Sequence, residues 1–382
     1  MPSSVCLWQT ASPKGGSLCK GKRMKKLICI LLCLCLCGCA KAPEESRETV
    51  SLWYVEGSQP QGLEELVAKY NKERAEGTLP VSLRSFPHEQ ALAAAFELRA
   101  PELLLCDYAK AEQLISQGRL FSVQAEQPEY WGNISQSMLS AGELYFPIGS
   151  RVQLLAEGEK LFENESLRSL DAFCAAASHY AEANNSPVFT ADDFSQLFSH
   201  AMLCLDTKFS AELARDKNNE LFRYVYNLLA ECALDGALLS SEFSSVDILA
   251  RKALPYALAD SCSLVNVADS VQVYPAPAFK GSLKYPAQAL GIAVSAPQGR
   301  NYGSVAAFLD YVNQPRHNSA LALDSGLVPA VANEALAENS LQSCLLEIGE
   351  YYTLCYFGEN SEYMKNRLSF EAVFRNSIKR LY

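Results

Sequence analysis

The sequence predicts an α/β protein of two lobes, each a mainly parallel sheet flanked by helices, and three observations predict it. From Val50 to about residue 120, apolar residues alternate between period two and period 3.6. The chain beyond an N-terminal leader is roughly 340 residues long, more than one hydrophobic core usually organises. From Ser166 the pattern turns helix-rich, and strand-like segments then return.

"VSLWYV" (50–55) is a β-branched and aromatic strand. "QGLEELVAKYNKERAEG" (61–77) places Leu63, Leu66, Val67 and Tyr70 at helical spacing, and "LPVSLRSF" (79–86) returns to period two, which makes a βαβ unit. A second cycle follows: a helix in "EQALAAAFELR", a short strand "ELLLC" after Pro101, and a helix "AKAEQLISQG" closed by Gly118 at C′. Strands alternating with helices imply a parallel sheet covered on both faces. Helices are expected in "SLRSLDAFCAAASHYAEANN", "TADDFSQLFSHAMLCL" and "NNELFRYVYNLLAECALDG", and strands at "ALPYALA" and "VQVYPAP". Thr190 and Asp193 stand as a near capping box, which assigns Asp192 and Asp193 to a helix start. "ALGIAVSAPQGRNYGSVAAFLDYVNQPRHN" reads as strand, turn and helix, and "SGLVPAV" as a loop between helices.

The leader ends in "CILLCLCLCGCAK" (29–41). Cys33, Cys35, Cys37 and Cys39 alternate with Leu or Gly and have no distant second pair, so zinc spacing fails. The apolar run from Leu27 to about Ala40 is too short for the roughly 20 residues of a membrane span but has the length of a signal-peptide core. Met24-Lys25-Lys26 supplies the positive flank, and residues 1–23 read as an extended or mis-assigned start before Met24. "LCGC" resembles the bacterial lipobox, which implies cleavage after residue 38 and a lipid on Cys39; a plain secretory peptide is the competing reading. Residues 39–48 then form the lipidated cysteine and a charged, unpacked tether.

The full chain carries a formal charge of −10, and the leader's six basic and no acidic residues leave −16 from residue 39 onward. Such an acidic surface with no basic stripe disfavours nucleic acid as a partner. Beyond Cys39 lie seven cysteines without regular spacing, several in apolar settings, read as mostly buried free thiols with room for one or two unassigned disulfides. His88-Glu89 lacks the second histidine of a zincin, and no nucleophile elbow, P-loop or dinucleotide fingerprint is present. His88, His179, His200 and His317 are scattered and read as surface or capping residues. No cofactor, metal site or catalytic set is expected.

The order of landmarks resembles the family-one extracellular solute-binding proteins of ABC importers, the maltose-type carbohydrate group. "SLWYVEGSQPQGLEELVAKYNKE" is similar to the family's opening strand, loop and helix, and "RAPELLLCDYAKAEQLISQGRLFSV" to its third strand and following helix. "AGELYFPIGSRVQLLAEGEKLF" looks like its crossover to the second lobe, and "KALPYALADSCSLVNV", "VYPAPAFKG", "ALGIAVSAP" and "SGLVPAV" fall in family order. The chain departs at "LLAEG", where the family has a tyrosine-rich run, and at Leu170, where a tryptophan is usual; Trp53 and Trp131 are the tryptophans left after the leader.

The resemblance implies a type II periplasmic-binding-protein-like fold with a ligand cleft between lobes: 49–150 plus about 291–330 as lobe 1, and 151–290 plus about 331–382 as lobe 2. Ligands of open α/β lobes lie outside the carboxyl ends of strands. That rule nominates Trp53, Glu56 and Gly57 after the first strand, Asp107 and Tyr108 after the third, and Tyr145, Ser150 and Arg151 at the crossover. Asp260, Ser261 and Tyr274 face them from the second lobe. The alternatives are a core role for Trp53, a helix cap for Asp107 and an interlobe ion pair for Arg151.

The implied function is capture of a small solute, a carbohydrate, by hinge closure, and delivery to permease subunits from a lipid-anchored position on the outer face of the bacterial cytoplasmic membrane. The expected form is a monomeric, non-enzymatic receptor. A surface hydrolase acting on glycans or peptides, and a sensor without transport, are the competing classes. If Cys39 carries the anchor, Cys39→Ala leaves the chain unlabelled by an alkyne fatty acid and moves it to the soluble fraction. Continued membrane fractionation of that variant would contradict the lipobox.

Overall fold

The computed structural model describes residues 48–121, 134, 138, 145–205, 220–241, 243–279, 282–295, 301–357 and 362–378. Glu48–Tyr382 form one compact unit. The leader, Cys39, nearly all of the tether, Trp131 and the side chain of Cys204 lie outside the described residues.

Strand β1 (Val50–Val55), helix α1 (Leu63–Glu73) and strand β2 (Val81–Phe86) form the expected βαβ unit, with β1 and β2 parallel and Val50 opposite Val81. Helix α1 buries Leu63, Val67 and Tyr70, and carries Glu64 and Glu65 in its first turn and Lys72 in its last, as the helix dipole favours. Helix α2 (Glu89–Leu98) is capped by His88, whose Nδ1 accepts from Ala91 N at 3.1 Å. Strand β3 (Leu103–Asp107) runs directly into α3 (Tyr108–Ser116), which ends at Gly118 with φ +69°.

Strand β4 (Phe146–Arg151) completes this lobe's outward course and is separated by Val152 alone from β5 (Gln153–Glu157), which belongs to a second sheet. There follow α4 (Asn164–Arg168), α5 (Leu170–Asn184), β6 (Phe189–Ala191), α6 (Ser195–Leu205), α7 (Glu220–Leu234) and α8 (Ser245–Ala250). Strand β7 (Tyr256–Asp260) passes into the short helix α9 (Ser261–Leu264), and then come β8 (Gln272–Pro275) and β9 (Lys284–Pro286). Strand β10 (Gln288–Val294) returns to the first sheet, followed by α10 (Tyr302–Asn313), α11 (Pro315–Asp324) with proline at its first turn, and β11 (Val328–Pro329). Helix α12 (Ser340–Tyr351), β12 (Thr353–Cys355) and α13 (Glu362–Ile378) close the chain's described part.

The first sheet has the order β11-β4-β10-β3-β1-β2, and the second β6-β7-β5-β8; β12 and β9 pair in parallel. Strands β1 to β4 run one way in the first sheet, with β10 and β11 reversed. In the second, β5 alone opposes β6, β7 and β8. Most strands of each sheet point one way, but the reversed strands interleave with them. Among the described residues three of the five pairings in the first sheet and two of the three in the second are therefore antiparallel, where the sequence predicts mainly parallel ones.

Period two sorts the first lobe's core. Leu52, Tyr54, Leu103, Leu105, Ile292 and Val294 face one side, under α1 and α10, while Trp53, Leu104, Cys106 and Ala293 face the other, under α2 and α3. The second lobe's core gathers Phe173, Phe189, Phe198 and Tyr256 with Phe370 and Phe374 of α13; the Phe198 and Phe370 rings stack at 4.5 Å.

Three local expectations change. "SGLVPAV" contributes the short strand β11, which pairs with β4. Thr190 donates its hydroxyl to Leu239 O at 2.8 Å, so Asp193 caps without it. His200 is a core residue, 1% exposed, with its ring 4.4 Å edge-on from Tyr285, and burial pushes its imidazole pKa down to about 3.

At Gly291, a Cβ would stand 2.2 Å from the Tyr145 ring and 2.5 Å from Phe146 O. Gly291→Ala therefore overpacks the sheet and is expected to cost about 1–3 kcal/mol, read as a lower urea midpoint at unchanged m-value. A variant as stable as the parent would contradict that packing.

Candidate functional site

The step from β4 to β5 decides where a ligand can sit. Arg151 ends β4 opposite Gln288 at the start of β10, and the same end of β10 lies beside Asp107, the last residue of β3. Gln153 starts β5 opposite Asp260, the last residue of β7, while β6 runs parallel to β7. Because β10 and β5 run against their neighbours, the carboxyl ends of β3, β4, β6 and β7 all reach the crossing. There the side chains enclose a cleft of about 250 Å³.

Four carboxylates line it, and each caps a helix start. Asp107 Oδ1 accepts from Lys110 N at 2.8 Å, Asp193 Oδ1 from Ser195 N at 2.9 Å, Asp260 Oδ1 from Cys262 N at 2.9 Å, and Asp192 Oδ1 from Ser245 N at 2.7 Å. A helix that begins where a strand ends leaves unpaired N–H groups there, and aspartate satisfies them.

Two arginines enter the same space. Arg151 Nε lies 3.6 Å from Asp260 Oδ1. Arg367 of α13 pairs with Asp193 and donates through Nε to Ser195 Oγ at 2.9 Å. Glu371 also accepts from Ser195 N at 2.9 Å and pairs with Arg375, so the last helix is tied to the cleft rim. Burial alone would raise the Asp193 carboxyl, but the Arg367 charge and the Ser195 hydrogen bonds outweigh it and hold the pKa below 3.8. At Asp260 burial prevails over Arg151, with repulsion from Asp192 adding to it, and the pKa is raised. Burial and the charge of Asp193 likewise raise Glu371.

Tyr108 stacks on Tyr356 with centroids 5.5 Å apart, and the Tyr356 hydroxyl meets Ser150 Oγ at 2.9 Å. A second cavity of about 210 Å³ lies against the loop from Gly57 to Gln61, and Arg151 borders both cavities.

Of the residues nominated from sequence, Asp107, Tyr108, Arg151 and Asp260 line the main cleft and Gly57, at φ +80°, the second. The others lie elsewhere. Trp53, 5% exposed, packs on Phe86 at 4.9 Å, because the pleat turns it toward α2. Tyr145 is wholly buried against Gly291. Ser150 is buried and held by Tyr356. Ser261 is buried and stitches the crossing, its N donating to Val152 O at 2.8 Å and its Oγ accepting from Val152 N at 3.2 Å. Tyr274 donates to Glu157 Oε2 at 2.9 Å, at the end of β5 remote from the crossing. Glu56 is exposed, accepts from Ser85 Oγ at 3.2 Å and lines neither cavity.

Sequence reasoning missed Gln153, Gln196, Phe357, Met364 and Arg367, and gave Asp192 and Asp193 a capping role alone. The aspartates carry the same signal as Asp107 and Asp260, an acid at a strand's carboxyl end; Arg367 has no local signal.

No family model and no curated protein sequence matches the chain. Solved structures do. The sugar-binding protein MalE of Xanthomonas citri superposes with a TM-score of 0.68 at 13% identity, over 86% of this chain and 92% of that one. The maltodextrin-binding protein MalE1 of L. casei gives 0.65 at 14%, over 87% and 93%. A probable secreted solute-binding lipoprotein of Streptomyces coelicolor gives 0.65 at 15%, over 88% and 98%. At these identities the likeness establishes the two-lobed periplasmic-binding fold.

The Arg367–Asp193 pair yields a pH-dependent expectation. A carboxyl whose folded pKa lies below its unfolded value adds stability that is present above the unfolded pKa, near 3.8, and is lost as pH falls through the folded value. Arg367→Ala is expected to cost about 2 kcal/mol at pH 7, and much less at pH 2.5. Equal losses at both pH values in urea unfolding would make the contact one of packing alone.

Proposed function

We propose that this protein is a membrane-anchored, extracellular solute-binding receptor of an ABC importer. It captures a small hydrophilic solute of the carbohydrate class by hinge closure and hands it to a permease. The observation that carries the reading is the cleft itself: strand ends from two separately cored sheets converge on one space, and the chain leaves the first sheet for the second through Val152 and re-enters the first from the β9–β12 pair through Ala287. Small rotations at such segments open and close a cleft without disturbing either core.

The lipobox at Cys39 supports the anchored location, and the known binding proteins of the same fold support the solute-binding role. The hydrolase alternative needs a carboxylate free to act as acid or base. Each cleft carboxylate instead holds a helix start, and two are also paired with arginine. Sugar stacking would fall to Tyr108 and Phe357.

Thermal unfolding against mono- and oligosaccharides, polyols, amines, amino acids and phosphate esters tests the reading. One chemical class should stabilise the protein saturably, by about 2.7 kcal/mol at a hundred times its dissociation constant, and Asp107→Ala should abolish the shift. Turnover of a glycan or peptide, or silence toward every class, would contradict it.

A further inference from the structure

The charged side chains of the cleft are weighted toward the negative. Its described walls carry Asp107, Asp192, Asp193 and Asp260 against Arg151 and Arg367. Both guanidinium groups are engaged inside the wall, Arg151 by Asp260 and Arg367 by Asp193. Asp107 and Asp192 each give one oxygen to a backbone N–H, and neither is paired with a cation among the described residues. Two carboxylates, both reached by solvent, are thus left without an ion-pair partner on facing walls of the cleft.

A buried acceptor points the same way. Gln153 lines the cleft and is 5% exposed; its Nε2 donates to Asp193 O at 2.9 Å, and its Oε1 has no hydrogen-bond partner among the described residues. A buried acceptor without a donor is costly unless something bound supplies one.

Resting on the receptor reading above, we propose that the captured solute bears a protonated amine, held between Asp107 of the first lobe and Asp192 of the second. An ammonium group brings three donors and no acceptor, the complement of this wall. The aromatic side chains of Tyr108 and Phe357 line the same space. Among the described residues no group of three or more His, Cys, Asp or Glu is arranged to hold a metal ion. The two carboxylates stand on opposite lobes, so a cation between them replaces repulsion with attraction, and an amine-loaded protein closes more readily than an empty one.

Two sources share this chemistry, an amino sugar and an aliphatic diamine, and one experiment separates them. Calorimetric titration of the full chain in detergent at pH 6.5 and low salt uses glucosamine, N-acetylglucosamine, glucose, maltose and putrescine. It is repeated on Asp107→Asn and Asp192→Asn, which keep an oxygen to cap the same N–H groups. The expected result is binding of glucosamine or putrescine at least tenfold tighter than of N-acetylglucosamine or glucose, weakened by salt. A tenfold or greater loss is expected in each variant, with ligand-free melting unchanged. Neutral sugars binding as tightly as amines, or undiminished amine binding in both variants, would overturn the charge assignment and leave the receptor reading standing. Failure of every compound to bind would count against both.

Discussion

The molecule depends on the short crossing at Val152. That residue alone separates β4 from β5, and it is hydrogen-bonded through both its N–H and its carbonyl to Ser261. A connection this short forces the carboxyl end of β4 against the amino end of β5. Since β7 pairs antiparallel to β5, with Asp260 opposite Gln153, its carboxyl end is carried to the same place. The return at Ala287 repeats the arrangement from the other side, setting Gln288 beside Arg151. The position of the cleft is therefore a consequence of strand direction, and side-chain chemistry is added to a location the backbone has already chosen.

That addition works against stability at one point. A carboxylate at a strand's carboxyl end is useful, because the helix that follows needs its N–H groups capped. Four such caps crowded around one cleft also repel one another. Arg367 offsets burial and repulsion at Asp193, whereas at Asp260 burial outweighs Arg151, and the carboxyl stays harder to ionise than in water. Such residual strain is common where a surface is kept ready for a partner.

Much of the fold was legible in the sequence because its signals are local. Period two in "VSLWYV" and "ELLLC", helical spacing in α1 and the glycine after α3 mark elements whatever surrounds them. The site was legible only in part. Knowing that ligands lie at strand ends nominates a loop but not the side of the strand a residue faces. Trp53 and Tyr145 were therefore drawn toward the cleft when the pleat and the space above Gly291 place them in the core. Tyr274 was misplaced because its partner, Glu157, lies far away in sequence. Asp107 and Asp260 were found because capping and cleft lining coincide there. Arg367 was not found because it comes from the last helix, and tertiary packing alone delivers it.

The central claim is that two lobes close on a solute at this crossing. Small-angle X-ray scattering of the protein, empty and then saturated with whichever compound binds, tests it most directly. Closure gives a smaller radius of gyration in the loaded state. An unchanged radius with the solute demonstrably bound would contradict closure and leave a rigid binding module in its place.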